Sequence, residues 1–224
     1  FTSCGDFLDQ ESDRVISADK DRLNAASDTL YSVIGIMNKL QALSDRTILL
    51  GELRGDLSEV QDIASADLRE LANFNISTEN KYNAPRDYYA VINNCNYFLA
   101  KADTMVKNSK NERIFAKEYA AVKAFRAWTY LQLVLNYGKV PLITTPILTK
   151  DDADRQYEMK DIQGICNYFV SDIAPYANVE TPNYGTIRGN DSKLFYFPIY
   201  VLMGDMNLWA GNYREAALCY YKYI

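Results

Sequence analysis

Residues Ala121–Ile143 read AVKAFRAWTYLQLVLNYGKVPLI. Ala116, Ala120, Ala121, Ala124 and Ala127 are strong helix formers, small enough to let a second helix approach closely. From Ala124 onward Phe125, Trp128, Tyr130, Leu131, Leu133, Val134 and Leu135 spread around the helix instead of keeping to one stripe. A helix that is apolar all round is buried on more than one side. Tyr137-Gly138 predicts its end, because glycine takes the left-handed cap position without steric cost. Val140-Pro141-Leu142-Ile143 then leaves as an extended apolar segment, with Pro141 biasing Val140 away from helix.

On either side of this helix the same rules predict more helices. Ser17 or Asp19 can cap one that runs to about Leu43, with Leu23, Ala26, Leu30, Val33, Ile34, Met37 and Leu40 repeating at three and four. Leu49–Asp56 looks like a helix end and turn, and residues 73–84 are polar, Asn-rich loop. Pro85 suits a helix start. That helix continues to about Met105 through Tyr88, Tyr89, Ile92, Cys95, Asn96 and Leu99, and pairs with the quoted helix as a hairpin over residues 85–137. Residues 144–157 read as a long polar loop, Met159–Tyr176 as a helix, and residues 178–192 again as loop. In Phe197–Ile224, Met203-Gly204, Gly211, Tyr213, Ala216 and Tyr220 fall at the offsets of a tetratricopeptide-like repeat. Gly204 and Ala216 would let the two helices touch, Gly211-Asn212 turns the chain, Trp209 and Tyr220 would fill the groove, and Asn207 replaces the repeat's usual aromatic. Strand signals are almost absent, so the expected class is all-α, with tetratricopeptide-like hairpins and long irregular loops.

The chain has 224 residues, 48% of them hydrophobic, enough for a sizeable core. Its net charge is −5 and its pI about 4.9, which argues against nucleic acid as a partner. No run of 18 or more apolar residues occurs, so no membrane-spanning helix is expected. There is no histidine, which removes Ser-His-Asp triads, His general bases and His-based zinc motifs. No phosphate-binding glycine loop is present, and no cofactor or metal is expected. Cys95, Cys166 and Cys219 lie in apolar helical stretches and read as buried free thiols; their spacing leaves a long-range disulfide open. Tyrosine is abundant, with 18 residues. Most tyrosines sit at helical spacing and belong to packing, so the loop aromatics Phe74, Tyr82, Tyr157 and Tyr184 are the better binding candidates.

The quoted segment resembles the signature helix of SusD/RagB-type proteins, A-K-x-x-R-A-x-x-Y-x-x-L-V-x-x-Y-G-x-V-P-L-I. Lys123, Arg126, Ala127, Tyr130, Val134, Tyr137, Gly138, Val140, Pro141, Leu142 and Ile143 stand where that pattern expects them, while Lys139 replaces the family's common Asp. The resemblance implies a cell-surface lipoprotein of the outer membrane that captures oligosaccharide and delivers it to a TonB-dependent, SusC-like transporter, with no bond broken. Phe1-Thr2-Ser3-Cys4-Gly5-Asp6 resembles the end of a lipoprotein signal peptide, with Phe1 in place of the usual Leu and Cys4 as the lipidated residue. Residues 1–18 would form the anchor and acidic tether. Residues 19–224 would form the SusD-like N-terminal helical domain, incomplete at its C-terminal end because the family's members are longer and the last segment lacks a polar cap. Glu52, Arg54 and Asp56 match a charged stretch common in the family. A Trp commonly precedes the family's Y-x-x-I-x-x-x-N segment, which Tyr89, Ile92 and Asn96 match. Pro85 holds that Trp place, and Tyr82 is the aromatic that could substitute. Peptide is the alternative ligand, and a tetratricopeptide-type adaptor for a protein partner is the competing class. A glycoside hydrolase would need a carboxylate pair across a cleft, and no motif supports one.

Overall fold

Helix α5 (Ala116–Tyr137) is the axis of the fold. The computed structural model describes residues 26–55, 58–102, 104–107, 109–111 and 113–224. The N-terminal tether, Cys4 and Asp56 lie outside the described residues. Along α5, Ala120, Val122, Ala124, Phe125, Ala127, Tyr130, Leu133 and Val134 are all buried, as the unstriped pattern predicts. Helix α4 (Pro85–Lys101) packs against it with proline in its first turn. Helix α1 (Ala26–Gln41) lies on both. In α1 Val33 and Ile36 are buried, whereas Ile34, read as core from its spacing, is exposed. Two shorter helices follow, α2 (Ser44–Glu52) and α3 (Ala66–Ala72).

The end of α5 is sharper than a simple helix cap. Gly138 has φ +76 and ψ −65, and Lys139 N–H donates to the Tyr137 carbonyl at 2.9 Å, a γ-turn that a side chain would strain. The chain then forms strand β1 (Val140–Pro141), which pairs antiparallel with β2 (Met159–Lys160). Between them the expected polar loop holds a short helix, α6 (Lys150–Asp154). The Thr149 side chain accepts from Asp152 N–H and the Asp152 carboxylate accepts from Thr149 N–H, a reciprocal cap that lets five residues close a turn. The next helix is also shorter than its apolar pattern suggested. Met159-Lys160 belongs to β2, so α7 spans Ile162–Ile173, capped by Asp161 and followed by a 3-10 turn over Ala174–Tyr176.

Polar residues of the quoted motif hold this exit segment in place. Arg126, almost fully buried, donates to Asn96 Oδ1 at 2.8 Å and pairs with Asp172 at 2.9 Å. Lys123 reaches the other Asp172 oxygen at 2.5 Å. Asn96 Nδ2 donates to the carbonyls of Ile143 (2.9 Å) and Thr145 (3.1 Å). The Tyr130 hydroxyl donates to the Ile143 carbonyl at 3.0 Å and accepts from Ile143 N–H at 2.7 Å. The motif's Lys, Arg and Tyr thus tie α4, α5, α7 and residues 143–145 into one polar seam inside an apolar core.

The second hairpin consists of α8 (Ile199–Trp209) and α9 (Tyr213–Tyr223), turned at Gly211 with φ +81. The Tyr220 ring lies so close to Gly204 that an added Cβ would stand 2.3 Å from it, as the repeat reading requires. Trp209, by contrast, is 53% exposed and does not fill the groove. Asn207 is buried, donating to the Met203 carbonyl and accepting from Asn212. A hairpin β3 (Thr186–Ile187) and β4 (Asn190–Asp191) decorates the loop before it. Cys95, Cys166 and Cys219 are free thiols, so the long-range disulfide is not formed. Among the described residues no helix is long and apolar enough to cross a membrane.

Candidate functional site

Two clefts meet at one contact between the turn after α2 and helix α5. The turn after α2 places Arg54 against the last turn of α5. Arg54 Nε donates to the Leu50 carbonyl, and Nη2 donates to Asn136 Oδ1 at 2.6 Å. Asn136 is itself fixed, since its Nδ2 donates to the Gln132 carbonyl at 2.8 Å. On one side of this contact the wall is formed by Leu50, Ile76, Tyr82, Asn83 and Tyr137. On the other side a more open groove is lined by Thr47, Gly51, Phe74, Gln132, Leu135 and Trp209. Leu50, Arg54 and Asn136 belong to both walls, so the two clefts are halves of one surface.

The aromatic rings reach this surface for local reasons. Phe74 occupies the residue after the C-cap of α3. Asn75 N–H bonds back to the Glu70 carbonyl at 3.0 Å and Phe74 N–H to the Leu71 carbonyl at 3.2 Å. This is the Schellman closure, whose left-handed position normally holds glycine. Phe74 adopts it at φ +54 and leaves its ring 69% exposed. Such backbone costs on the order of 1 kcal/mol. Trp209 is the last residue of α8, just before the Gly211 turn. Tyr137 meets Tyr88 edge-on at 6.2 Å. Burial raises the Tyr137 phenol above its usual value and pushes Tyr88 up to about 12, so both hydroxyls keep their protons at neutral pH. The neighbouring Arg46 is paired with Asp87 at 2.5 Å.

A site of this make-up has a limited repertoire. Exposed rings present flat apolar faces with little entropy to lose, and fixed amides, hydroxyls and a guanidinium between them supply directed hydrogen bonds. It can hold a flat, hydroxyl-rich molecule. Among the described residues no grouping of His, Cys, Asp and Glu could hold a metal ion.

No family model matches this sequence, and no curated protein matches it. Solved structures do. A SusD superfamily protein from Bacteroides thetaiotaomicron is 22% identical over 88% of this chain and 47% of its own, with a TM-score of 0.66. A laminarin-binding SusD-like protein is 19% identical over 86% of this chain and 42% of its own, with a TM-score of 0.65. A SusD-like carbohydrate-binding protein from Bacteroides fragilis is 15% identical over 89% of this chain and 40% of its own, with a TM-score of 0.61. The fold is SusD-like. The chain spans less than half the length of each of these three structures.

Within this SusD-like fold the residues singled out from sequence separate. Arg54, Phe74 and Tyr82 come together on the surface just described. Glu52 is exposed nearby at the end of α2, without a place in either wall, and Asp56 is outside the described residues. Tyr184 is elsewhere. Its hydroxyl donates to Glu118 in the first turn of α5 at 2.6 Å, and burial, with that carboxylate, raises its pKa. Glu118 and Asn136 are eighteen residues apart on one helix, about 27 Å along its axis. Tyr157 donates to the Asp152 carbonyl at 2.8 Å and lines a separate pocket with Tyr89 and Ile147. Trp209, Asn136 and Gln132 were missed, because helical residues, Trp209 among them, read as packing. The signal that could have found Trp209 is its place at a helix end, immediately before the Ala210-Gly211 turn.

Proposed function

We propose that the full-length protein is a surface lipoprotein that captures oligosaccharide on the Arg54–Asn136 surface and passes it, unchanged, to a TonB-dependent outer-membrane transporter. The observation that carries this reading is the pair of exposed rings, Phe74 and Trp209, lining one groove together with Arg54, Asn136 and Gln132. Sugar rings stack on such faces while their hydroxyls bond to the polar groups. The SusD-like fold, shared with proteins described as laminarin-binding and carbohydrate-binding, supports the same ligand class. Among the described residues neither wall carries the carboxylate pair that glycoside hydrolysis would need, and the groove is read as a holder.

In this reading residues 1–18 are the anchor and tether, with lipid on Cys4, and residues 19–224 are the helical part of a longer SusD-like body. Glu52 and Asp56 are held as secondary contact candidates, whereas Tyr184, bonded to Glu118 at the far end of α5, is not part of this surface. Calorimetry and product analysis on the full-length protein with a glycan panel test the central claim. Binding without product, weakened by about tenfold or more in Phe74→Ala and Trp209→Ala as ring-stacking sites are, supports it; released sugars, or binding to peptides alone, overturn it. Cys4→Ser in the precursor tests the anchor: the variant is expected in the soluble fraction, and its retention in membranes would sink lipidation.

A further inference from the structure

The glycan reading leaves the ligand's charge open, and the site's electrostatics speak to it. Among the described residues Arg54 is the only charged one in either wall. Its two recorded partners, the Leu50 carbonyl and Asn136 Oδ1, are neutral acceptors, so they orient the guanidinium without cancelling its charge. Among the described residues no carboxylate pairs with it, whereas the neighbouring Arg46 is neutralised by Asp87 at 2.5 Å. Among the described residues these walls hold no acid, in a chain with 29 acidic and 24 basic residues. A guanidinium held on one edge still presents further N–H donors, in the planar fork that matches a carboxylate or sulfate. Neutral hydrogen-bonding groups surround it: Thr47, Asn83 and Gln132, with the protonated phenol of Tyr137. Phe74 and Trp209 line the same groove with exposed rings.

Building on the proposed glycan-holding role, we infer that the oligosaccharide is acidic, with a carboxylate or sulfate group seated on Arg54 and its neighbouring sugar rings on Phe74 and Trp209. A neutral glycan would leave this guanidinium's outward donors to ordinary hydroxyls, which bond to it more weakly than an anion does.

Matched pairs of probes test the charge directly on the full-length protein. One arm compares oligogalacturonide with its methyl ester; the other compares a sulfated galactan oligosaccharide with its desulfated form. The expected result is roughly tenfold tighter binding of the acidic member in one arm, the effect of one charge-assisted hydrogen bond, shrinking as salt rises. A preference in the first arm assigns a carboxylate, and in the second a sulfate. Arg54→Gln is expected to erase the preference by weakening the acidic member about tenfold more than the neutral one, and Arg54→Lys to keep part of it. The wild-type comparison needs no variant, so it stands even if Arg54→Gln folds poorly. Equal binding within both pairs overturns the inference and leaves the glycan-holding role standing. An acid preference that survives in a folded Arg54→Gln protein overturns the placement on Arg54. Failure of every saccharide to bind overturns both.

Discussion

Phe74 carries the clearest conflict between local stability and exposure. Its backbone sits at φ +54 in the Schellman position of α3, where glycine would rest without strain. Phe74→Gly relieves a left-handed cost of about 1–3 kcal/mol but adds unfolded-chain entropy worth about 0.5–1 kcal/mol. The expected outcome is a variant more stable by about 0.5–1 kcal/mol in denaturant unfolding that binds glycan more weakly. A variant that loses stability would mean that the ring packs in place. The residue scale is also where sequence reading was weakest. Phe74, Tyr82 and Arg54 were recognised as types, but the Arg54–Asn136 contact joins residues 82 apart in the chain, and no local pattern encodes it. Tyr184 looked like the other loop aromatics; a carboxylate from α5 had already engaged its hydroxyl.

At the scale of elements two contacts decide the packing. Gly204 lets Tyr220 lie against α8, and the Tyr220 hydroxyl donates to Asp205 at 2.6 Å. Gly204→Ala places a methyl group inside that ring, so α8 and α9 must separate. The expected loss is about 1–3 kcal/mol, as for overpacked cores, read as a lowered midpoint in denaturant; an unchanged midpoint would show that α9 moves freely. Asp172 faces both Lys123 and Arg126 with little exposure. Asp172→Ala leaves two cations uncompensated, at a cost of about 3–5 kcal/mol, and calorimetric unfolding measures it. A loss under about 1 kcal/mol would mean that water replaces the carboxylate. The long helices were legible because three-and-four spacing runs over many turns in α4, strong helix formers and apolar residues all round mark α5, and glycine marks where α5 stops. Helices α3 and α6 were not. Seven and five residues are too few for periodicity to register, and α6 exists through the Thr149–Asp152 cap. The start of α7 was misplaced because Met159 continues the apolar run while its backbone pairs with Pro141.

The molecule as a whole should respond to alkali and not to mild acid. Burial raises Cys95 from an ordinary 9 to about 12 and Tyr88 from 10 to about 12. Burial, with Glu118 nearby, does the same to Tyr196. Each group is neutral in the fold and ionises earlier in the unfolded chain. Their contribution is therefore complete below about pH 9 and is lost as pH climbs towards 12. With no histidine in the sequence, stability is expected to stay level between about pH 6 and 8. Thermal unfolding followed across this range checks both; a sharp fall below pH 8 would contradict the assignment. The two tryptophans have been placed for an experimenter's convenience as well. Trp128, partly buried against the helical core, stacks on Phe197 at 5.0 Å, whereas Trp209 stands half in water on the groove. There are no others. The protein thus carries two fluorophores in different settings: one whose emission is expected to redden as the body melts, and one expected to shift if the proposed ligand covers it. Titration and denaturation can be followed in the same cuvette, without a label.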